Sequence, residues 1–297
     1  MLDTEPTYSI VTLGNGVKSI RSNECDETFH PVIGPAAEAE TLYVRQLRLP
    51  ERMAATEDEF VVWDIGLGAA ANAIAALQAA TVCPGRLRLV SFDCTAGGLE
   101  FALEHRAALG YFGEYEHSVR TLLREHYAAF RNGSSEALWE FYLADFPSLL
   151  AGWIGGNKNG PLAGQKPPAP HAILFDAYSP AKNPGMWTQP LFASIFASLD
   201  PERPCALATY SRSTMLRVSL MLAGFYVGSG ERTGEKEETT IAANCLDLIP
   251  SPLDLRWLKR ARASTSSEPM WEAHYRQAPI SEVSWMRLQA HPQWKGA

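Results

Sequence analysis

The sequence predicts an α/β protein in which helices cover both faces of a doubly wound, mostly parallel β-sheet of seven strands. Strand-length apolar runs alternate with helical segments along most of the chain. The run FVVWDIGLG (60–68) is apolar almost throughout, as is typical of a strand buried on both faces. The following AAANAIAALQAA (69–80) is rich in alanine, a strong helix former that packs closely on a sheet.

The first elements are a hairpin and two strand–helix units. YSIVTLGNGVKSIRS (8–22) predicts two strands around a turn at Gly14–Gly16, where glycine and asparagine tolerate positive φ. Helical spacing follows over Glu38–Leu49. After the strand and helix at 60–80, a strand at Leu87–Phe92 and a helix at Leu99–Ala108 repeat the pattern.

The later elements continue this alternation. The predicted elements are a helix at Ser118–Arg131, strands at Leu138–Leu143, 171–175 and 205–211, helices at Leu191–Leu199 and Met215–Ala223, and strands at Phe225–Val227 and Thr239–Ala243. The close succession of the last two strands predicts an antiparallel pair. The stretch Gly152–Pro170, rich in Gly, Pro, Asn and Lys, predicts a loop insertion.

Three regions are expected: a hairpin and lead-in (1–35), the main domain (36–250) and a C-terminal extension (251–297) with a short helical tail. In the tail, PLDLRWLKRARAS (252–264) predicts a helix. Its cations form either a solvated basic face or a phosphate-contacting patch: Arg256, Lys259, Arg260 and Arg262.

Composition narrows the class of protein. With 46% hydrophobic and 20% charged residues, the chain suits a globular protein with a sizeable core. No apolar run approaches the ~20 residues that span a bilayer, and MLDTEPTYSI lacks signal-peptide features, so we expect a cytoplasmic protein. The net charge of −7 argues against general nucleic-acid binding by the whole surface, without excluding a local basic patch. Five scattered cysteines predict reduced thiols and no metal site.

The turn after the first parallel strand is a candidate ligand site. In Asp64-Ile-Gly66-Leu-Gly68, the glycines allow the backbone to approach a ligand, and the next helix offers free N–H groups. Structural turns share this pattern, and Ala71 replaces the third glycine of a dinucleotide motif. Asp64 suits a cationic amino group better than a pyrophosphate, which favours S-adenosylmethionine over NAD as cofactor. We expect Asn72, in the same helix, to contact that cofactor.

Two more acids end strands. Asp93 follows Gly68 by about 25 residues, where an acid accepts both ribose hydroxyls, although a helix N-cap is the alternative. Asp145 follows the third strand and either accepts a hydrogen bond from an adenine amino group or caps the helix after it.

The loop DAYSPAKNPGMW (176–187) follows the fourth strand, at the edge where α/β sheets bind ligands. Asp176 is the predicted catalytic residue. The alternative is that the loop is purely structural and that Asp176 only caps it. Substrate contacts are expected from Tyr178, Ser179, Lys182, Asn183 and Trp187. Tyr178 and Trp187 either stack on an extruded base or belong to the core.

The same loop resembles the methyltransferase part of MnmC-type enzymes, which complete 5-methylaminomethyl-2-thiouridine at the tRNA wobble position. PAKNPGMWTQPLF, LATYSRSTMLRVSLMLAGF and FHPVIGPAAEAETLYV are similar to segments of that family in the same order. The resemblance runs from Tyr8 to Leu248. It implies a Rossmann-like fold that binds S-adenosylmethionine and methylates the exocyclic amine of 5-aminomethyl-2-thiouridine in tRNA.

The resemblance also implies residue roles. They are Gly66 and Gly68 at the methionine moiety, Asp93 at the ribose, Asp145 at the adenine, Asp176 beside the reacting methyl, and His30 and Glu38 in a lid over the cofactor.

The chain departs from the family in three places. The usual GFGTG turn reads GLGAA, so Ala69 lacks a hydroxyl and Ala70 replaces a glycine. A basic KRE-like string is replaced by the acidic GSGERTGEKEET (228–239). No FAD-dependent oxidase domain follows in the sequence, so a separate oxidase is expected to supply the aminomethyl substrate, unless the chain acts alone.

Two other functions fit the sequence. The acidic balance favours a methyltransferase that acts on a small amine or on another RNA. Ala69 and Ala70 favour a binding module that keeps the fold without turnover. For the enzyme, Asp176 is expected to hydrogen-bond and orient an amine, whose proton leaves to Asp176 or to water.

Overall fold

A computed structural model describes residues 6–155, 166–232 and 238–296. Part of the predicted 152–170 insertion and the middle of GSGERTGEKEET lie outside these ranges. Three short strands form a small antiparallel sheet: β1 (Tyr8–Thr12), β2 (Lys18–Ser22) and β3 (Glu27–Thr28). The predicted hairpin is confirmed, with Ile10 opposite Ile20.

Eight further strands form the main sheet in the order β10-β11-β9-β8-β4-β5-β7-β6. They are β4 (Glu59–Ile65), β5 (Gly85–Asp93), β6 (Tyr127–Asn132), β7 (Ser135–Leu143), β8 (Ala172–Phe175), β9 (Ala206–Thr209), β10 (Tyr226–Gly230) and β11 (Thr239–Ala243). The five strands from β9 to β7 are parallel, and β10, β11 and β6 are antiparallel to their neighbours. The carboxyl ends of five strands therefore meet at one edge, as a doubly wound sheet requires.

Helices cover both faces of this sheet. They are α1 (Pro35–Ala39), continued by a π-helical turn (Glu40–Arg45), α2 (Leu49–Ala54), α3 (Ala71–Ala80), α4 (Gly97–Glu104), α5 (Arg106–Leu109), α6 (Glu116–Glu125), α7 (Phe146–Ile154), α8 (Gln189–Ala197), α9 (Thr214–Ala223), α10 (Leu255–Ala263) and α11 (Glu282–Gln289). Two hydrophobic clusters result, one on each face. Trp257 and Leu288 from α10 and α11 belong to the second cluster, so the C-terminal helices pack into the main core. Within the described ranges, no helix is long and apolar enough to cross a membrane.

The predicted helix at Ser118–Arg131 is wrong in its second half. His126 adopts φ 62°, a left-handed conformation that ends α6. The next residues form β6, an edge strand that pairs with β7 from Tyr127–Glu140 to Asn132–Ser135. Pairing along an open sheet edge overrode the helix-compatible composition of YAAFRN. The sheet therefore has eight strands instead of the expected seven.

Asn132 anchors this extra strand. Its Nδ2 donates to the Leu77 carbonyl (2.7 Å), and its Oδ1 accepts from the Tyr115 hydroxyl (2.9 Å). Asn132 is buried, so these bonds join the edge strand to α3 and to the turn before α6.

Asn132→Ala is expected to lower the free energy of unfolding by about 2 kcal/mol, because it leaves a buried hydroxyl and a buried carbonyl without partners. Urea denaturation measures the change. Glu136→Ala, an exposed change on the paired strand, is the control and should stay within about 0.5 kcal/mol of the parent. Equal stabilities for the two variants would contradict this role of Asn132.

Candidate active site

A cavity of about 480 Å³ opens at the edge where the parallel strands end. Most residues predicted to act at the site line this cavity: His30, Glu38, Gly66, Gly68, Asn72, Asp93, Asp145, Asp176, Tyr178, Ser179 and Asn183. They come from the segment after β3, from α1 and α3, from the end of β5, and from the loops after β4, β7 and β8. The fold thus collects in one place residues that lie far apart in the sequence.

The glycine turn after β4 is pressed against the loop after β8. Gly66 has φ 93°, and a Cβ there would lie 2.6 Å from the Asp176 carbonyl oxygen. Both facts require glycine, since other residues rarely adopt this conformation and any side chain would collide with backbone. The N–H groups of Gly66 and Leu67 donate to the Phe92 carbonyl (3.0 and 3.1 Å). The turn is therefore fixed on both sides.

Ala70 begins α3 from a left-handed backbone conformation. Ala70, which replaces a family glycine, has φ 63°, in the left-handed region that glycine adopts more readily. The Ala70 N–H donates to the Leu67 carbonyl (2.7 Å), and its own carbonyl accepts from Ile74 N (2.9 Å), so α3 begins in register.

The two other strand-end acids differ in what they bind. Asp93 accepts from Gly68 N (2.9 Å) and Thr95 N (3.1 Å) and does not cap α4, whose N-cap is Ala96. Burial raises the pKa of Asp93. Asp145 does cap α7, since it accepts from Ser148 N (3.1 Å). Because Asp145 also lines the cavity, capping and ligand contact are compatible.

Asp176 sits at the centre of a polar network. Its Oδ2 accepts from Asn72 Nδ2 (2.7 Å) and lies 3.7 Å from His30 Nε2. Its backbone N–H donates to the Ile65 carbonyl (2.9 Å). The Oδ1 of Asn72 is buried and has no hydrogen-bond partner within the described ranges. The site thus presents a carboxylate that Asn72 holds in place, and a carboxylate is suited to a ligand with N–H or O–H donors.

Two tyrosines that sequence reasoning missed flank this network. The Tyr43 hydroxyl donates to the Phe175 carbonyl (3.3 Å), and the Tyr210 hydroxyl donates to the Ala177 carbonyl (3.1 Å). Burial, followed by the nearby Asp176 charge, holds both tyrosine pKa values well above 10. Both remain neutral phenols, so the negative charge of the site stays on carboxylates. In the sequence, Tyr210 is distinguished only by its position near the polar end of the predicted strand 205–211.

The small antiparallel sheet roofs the cavity. Glu27 accepts from Ser179 N (3.1 Å) and also from the Ser179 hydroxyl, so the predicted substrate contact Ser179 is already engaged. The rings of Phe29 and Tyr178 lie 5.7 Å apart. His30 adopts φ 48° just beyond this contact. Glu27 and Phe29 are absent from the sequence-based predictions because nothing in the local sequence distinguishes them.

Three predicted site residues lie outside the cavity lining. Trp187 is fully buried, donates from Nε1 to the Tyr178 carbonyl (2.7 Å) and packs edge-on against Phe175, so it belongs to the core, one of the two alternatives that the sequence left open. Lys182 is exposed on the outer side of the loop. Asp64 is fully buried behind the glycine turn, within the sheet.

Asp64 has an unusual protonation state. Burial raises its pKa from 3.8 to about 8. Its Oδ2 accepts from the Ser91 hydroxyl (2.8 Å), and its Oδ1 is buried without a partner in the described part of the chain. At neutral pH Asp64 is therefore largely a neutral acid, which corrects its predicted role as an anionic partner of a ligand amine.

Asp64→Asn is expected to flatten the pH dependence of stability. Between about pH 4 and pH 8 the folded protein keeps a proton that the unfolded chain loses, so this carboxyl lowers stability as pH rises, by up to about 1.4 kcal/mol per pH unit. The stability of the variant relative to the parent should therefore increase with pH. Urea unfolding of the ligand-free protein across this range measures it.

Asp58→Asn, which removes an exposed carboxylate just before the same strand, is the matched control. A pH-independent difference between Asp64→Asn and the parent would show that Asp64 is already ionised in the folded state.

Known proteins resemble this chain in sequence. A family described as S-adenosyl-L-methionine-dependent methyltransferase matches residues 164–244. The tRNA 5-methylaminomethyl-2-thiouridine biosynthesis bifunctional protein MnmC of Vibrio campbellii is 27% identical over 264 residues, which are 83% of this chain and 37% of that protein. The MnmC protein of Caulobacter vibrioides is 26% identical over 212 residues, which are 68% of this chain and 32% of that protein. The chain thus spans about a third of the length of these curated relatives.

Solved structures share the fold. MnmC2 from Aquifex aeolicus matches with a TM-score of 0.66 at 21% identity, over 96% of this chain and 85% of that one. A spermidine synthase in complex with the transition state analogue AdoDATO matches with a TM-score of 0.52 at 11% identity, over 96% and 82%. The predicted α/β fold is confirmed, and the chain is similar in sequence to MnmC proteins and, over residues 164–244, to a family of S-adenosyl-L-methionine-dependent methyltransferases.

Proposed function

We propose that this chain is an S-adenosylmethionine-dependent methyltransferase and that it N-methylates a primary amine carried by tRNA, the aminomethyl group of a wobble 5-aminomethyl-2-thiouridine. The observation that supports this most directly is the Asp176 carboxylate, held by Asn72 and placed 3.7 Å from His30 at the cavity. A carboxylate at the cavity suits an amine, which donates hydrogen bonds through its N–H groups.

The cavity lining supports S-adenosylmethionine as the cofactor by its chemistry. The glycine cradle leaves no room for a side chain at Gly66, and acceptor groups at Asp93 and Asp145 match a ligand with a ribose diol and amino groups. We assign Gly66 and Gly68 to the methionine end, Asp93 to the ribose and Asp145 to the adenine. Glu38 and His30 close the site above the cofactor. Bound S-adenosylmethionine supplies an electrophilic methyl group.

The protein's own contribution is to position an acceptor and to take up a proton. An alkylamine is largely protonated at neutral pH, because its pKa resembles that of the lysine side chain, ~10.4. Asp176 accepts a hydrogen bond from the amine and orients its lone pair, and the proton leaves to Asp176 or to water. Holding the reactants in line supplies much of the acceleration, so Asn72 acts by fixing Asp176. Tyr178 and Asn183 border the acceptor side of the cavity.

The tRNA substrate is supported by the resemblance to MnmC proteins along most of the chain. Those relatives are described as bifunctional and are much longer, and we propose that an FAD-dependent oxidase supplies the aminomethyl group. A cytoplasmic location follows from a tRNA substrate.

A second candidate is methylation of a free small amine or of another RNA. The net charge of −7 favours the free small amine, because an acidic surface repels polyanions and attracts cations. Methyl transfer to a free amine without transfer to tRNA would select this candidate.

Asp176→Asn is expected to reduce turnover by about 100-fold or more, because the amine loses its proton acceptor and its orienting carboxylate. Affinity for S-adenosylmethionine should change little. Transfer of labelled methyl groups to tRNA bearing 5-aminomethyl-2-thiouridine measures turnover, mass spectrometry of the nucleosides identifies the product, and calorimetry measures cofactor binding.

The matched control is Asp247→Asn, an exposed carboxylate that does not line the cavity. It should retain parental turnover. Parental turnover in Asp176→Asn would remove Asp176 from the mechanism, and a parent that methylates no wobble uridine would overturn the proposed substrate.

A further inference from the structure

The C-terminal segment contains a loop that borders the acceptor side of the cavity. We call residues 268–281 the rim loop. Met270 forms a parallel bridge with Thr188, and its carbonyl accepts from Gln189 N (2.7 Å). A methyl group built at Gly185 would lie 4.0 Å from the Ala273 Cβ. Gly185 lies between Asn183 and Met186, which both line the cavity, so the rim loop packs against a segment of the cavity wall without lining the cavity itself.

Hydrogen bonds fix both ends of the rim loop. The N–H groups of Ser267 and Glu268 both donate to the Ala278 carbonyl (3.0 Å each). The Glu268 carboxylate accepts from Ser281 N (2.7 Å) and from the Ser284 hydroxyl (2.9 Å). The loop is therefore a closed, anchored structure, and its tip has a defined place beside the cavity.

The tip of the rim loop presents two aromatic side chains to solvent. All residues from Trp271 to Gln277 are exposed, and Trp271 and Tyr275 each keep 38% of their surface accessible. Trp271 is oriented by a bond from Nε1 to Glu268 (3.0 Å) and by the Arg287 guanidinium 5.5 Å from its ring. Exposed aromatic side chains on a loop that packs against the wall of a cavity are typical of a binding surface.

Two exposed cations and one exposed carboxylate, Glu272, lie on this part of the surface. Arg276 lies on the tip, and Lys182 lies in the neighbouring loop that follows β8. Both are exposed, and neither has an ion-pair partner in the described part of the chain. Stacking rings with adjacent cations are the combination by which proteins bind unpaired nucleotides of RNA.

We propose that the rim loop binds the unpaired nucleotides that flank the target uridine. Bases stack on Trp271 and Tyr275, Arg276 and Lys182 contact phosphates, and the uridine then enters the adjoining cavity with its amine toward Asp176. This inference rests on the proposed tRNA substrate. It also gives a role to a segment beyond residues 164–244, the part matched by the methyltransferase family.

The test compares RNA binding by three variants of the full chain. Trp271→Ala combined with Tyr275→Ala should weaken binding of an anticodon stem-loop about tenfold or more, because stacking on both bases is lost. Arg276→Glu should weaken binding and reduce its dependence on salt, because one phosphate contact is lost. The matched control is Tyr127→Ala, which removes a tyrosine that is 53% exposed on the edge strand β6, and it should bind like the parent.

Fluorescence anisotropy at two salt concentrations measures RNA affinity, and calorimetry with S-adenosylmethionine shows whether each variant keeps its cavity. Parental RNA affinity in both rim-loop variants would overturn the rim-loop proposal and leave the tRNA substrate in place. Failure of the parent itself to bind or methylate the stem-loop would instead overturn the proposed function, and the rim-loop proposal with it.

Discussion

The close approach of Gly66 to the backbone of Asp176 is the constraint on which the site depends. Ile65 and Phe175 are paired in the parallel register of β4 and β8. The next residues, Gly66 and Asp176, therefore begin two turns that run directly beside each other. Only glycine fits at the crossing, because a Cβ would meet the Asp176 carbonyl at 2.6 Å. This contact places Asn72, in the first turn of α3, within hydrogen-bond distance of the Asp176 carboxylate. The glycine turn therefore shapes the acceptor side of the site as well as the cofactor side.

The roof over this crossing comes from a different part of the chain. The small N-terminal sheet reaches the loop after β8 through Glu27 and Ser179 and through Phe29 and Tyr178. These contacts cover Asp176 and hold His30 beside it. Limiting water there strengthens each electrostatic interaction at the carboxylate.

The sequence was sufficient for features that depend on local pattern. Buried parallel strands were recognisable from continuous apolar runs such as 60–65. The acids Asp93 and Asp176 were recognisable as ligand-site candidates because they stand at strand ends, where α/β sheets bind ligands. Features that depend on distant partners were not predictable. Glu27 and Tyr43 acquire their roles only through contacts across the fold.

Ambiguity in the sequence explains the errors. The same local sequence is compatible with a loop aromatic, such as Trp187, that packs into the core and with one that lines a pocket. The residues 127–132 are compatible with helix or strand, and only the open edge of β7 decides between them. Asp64 was expected to be an anion because carboxylates usually are, whereas its complete burial raises its pKa to about 8.

Calorimetric titration of S-adenosylmethionine into the parent protein and into Gly66→Ala tests the central claim most directly. The parent should bind one equivalent. In Gly66→Ala a strained backbone and a collision with Asp176 should abolish detectable binding, while circular dichroism shows that the sheet is retained. An absence of binding by the parent, or equal binding by the two proteins, would contradict the account.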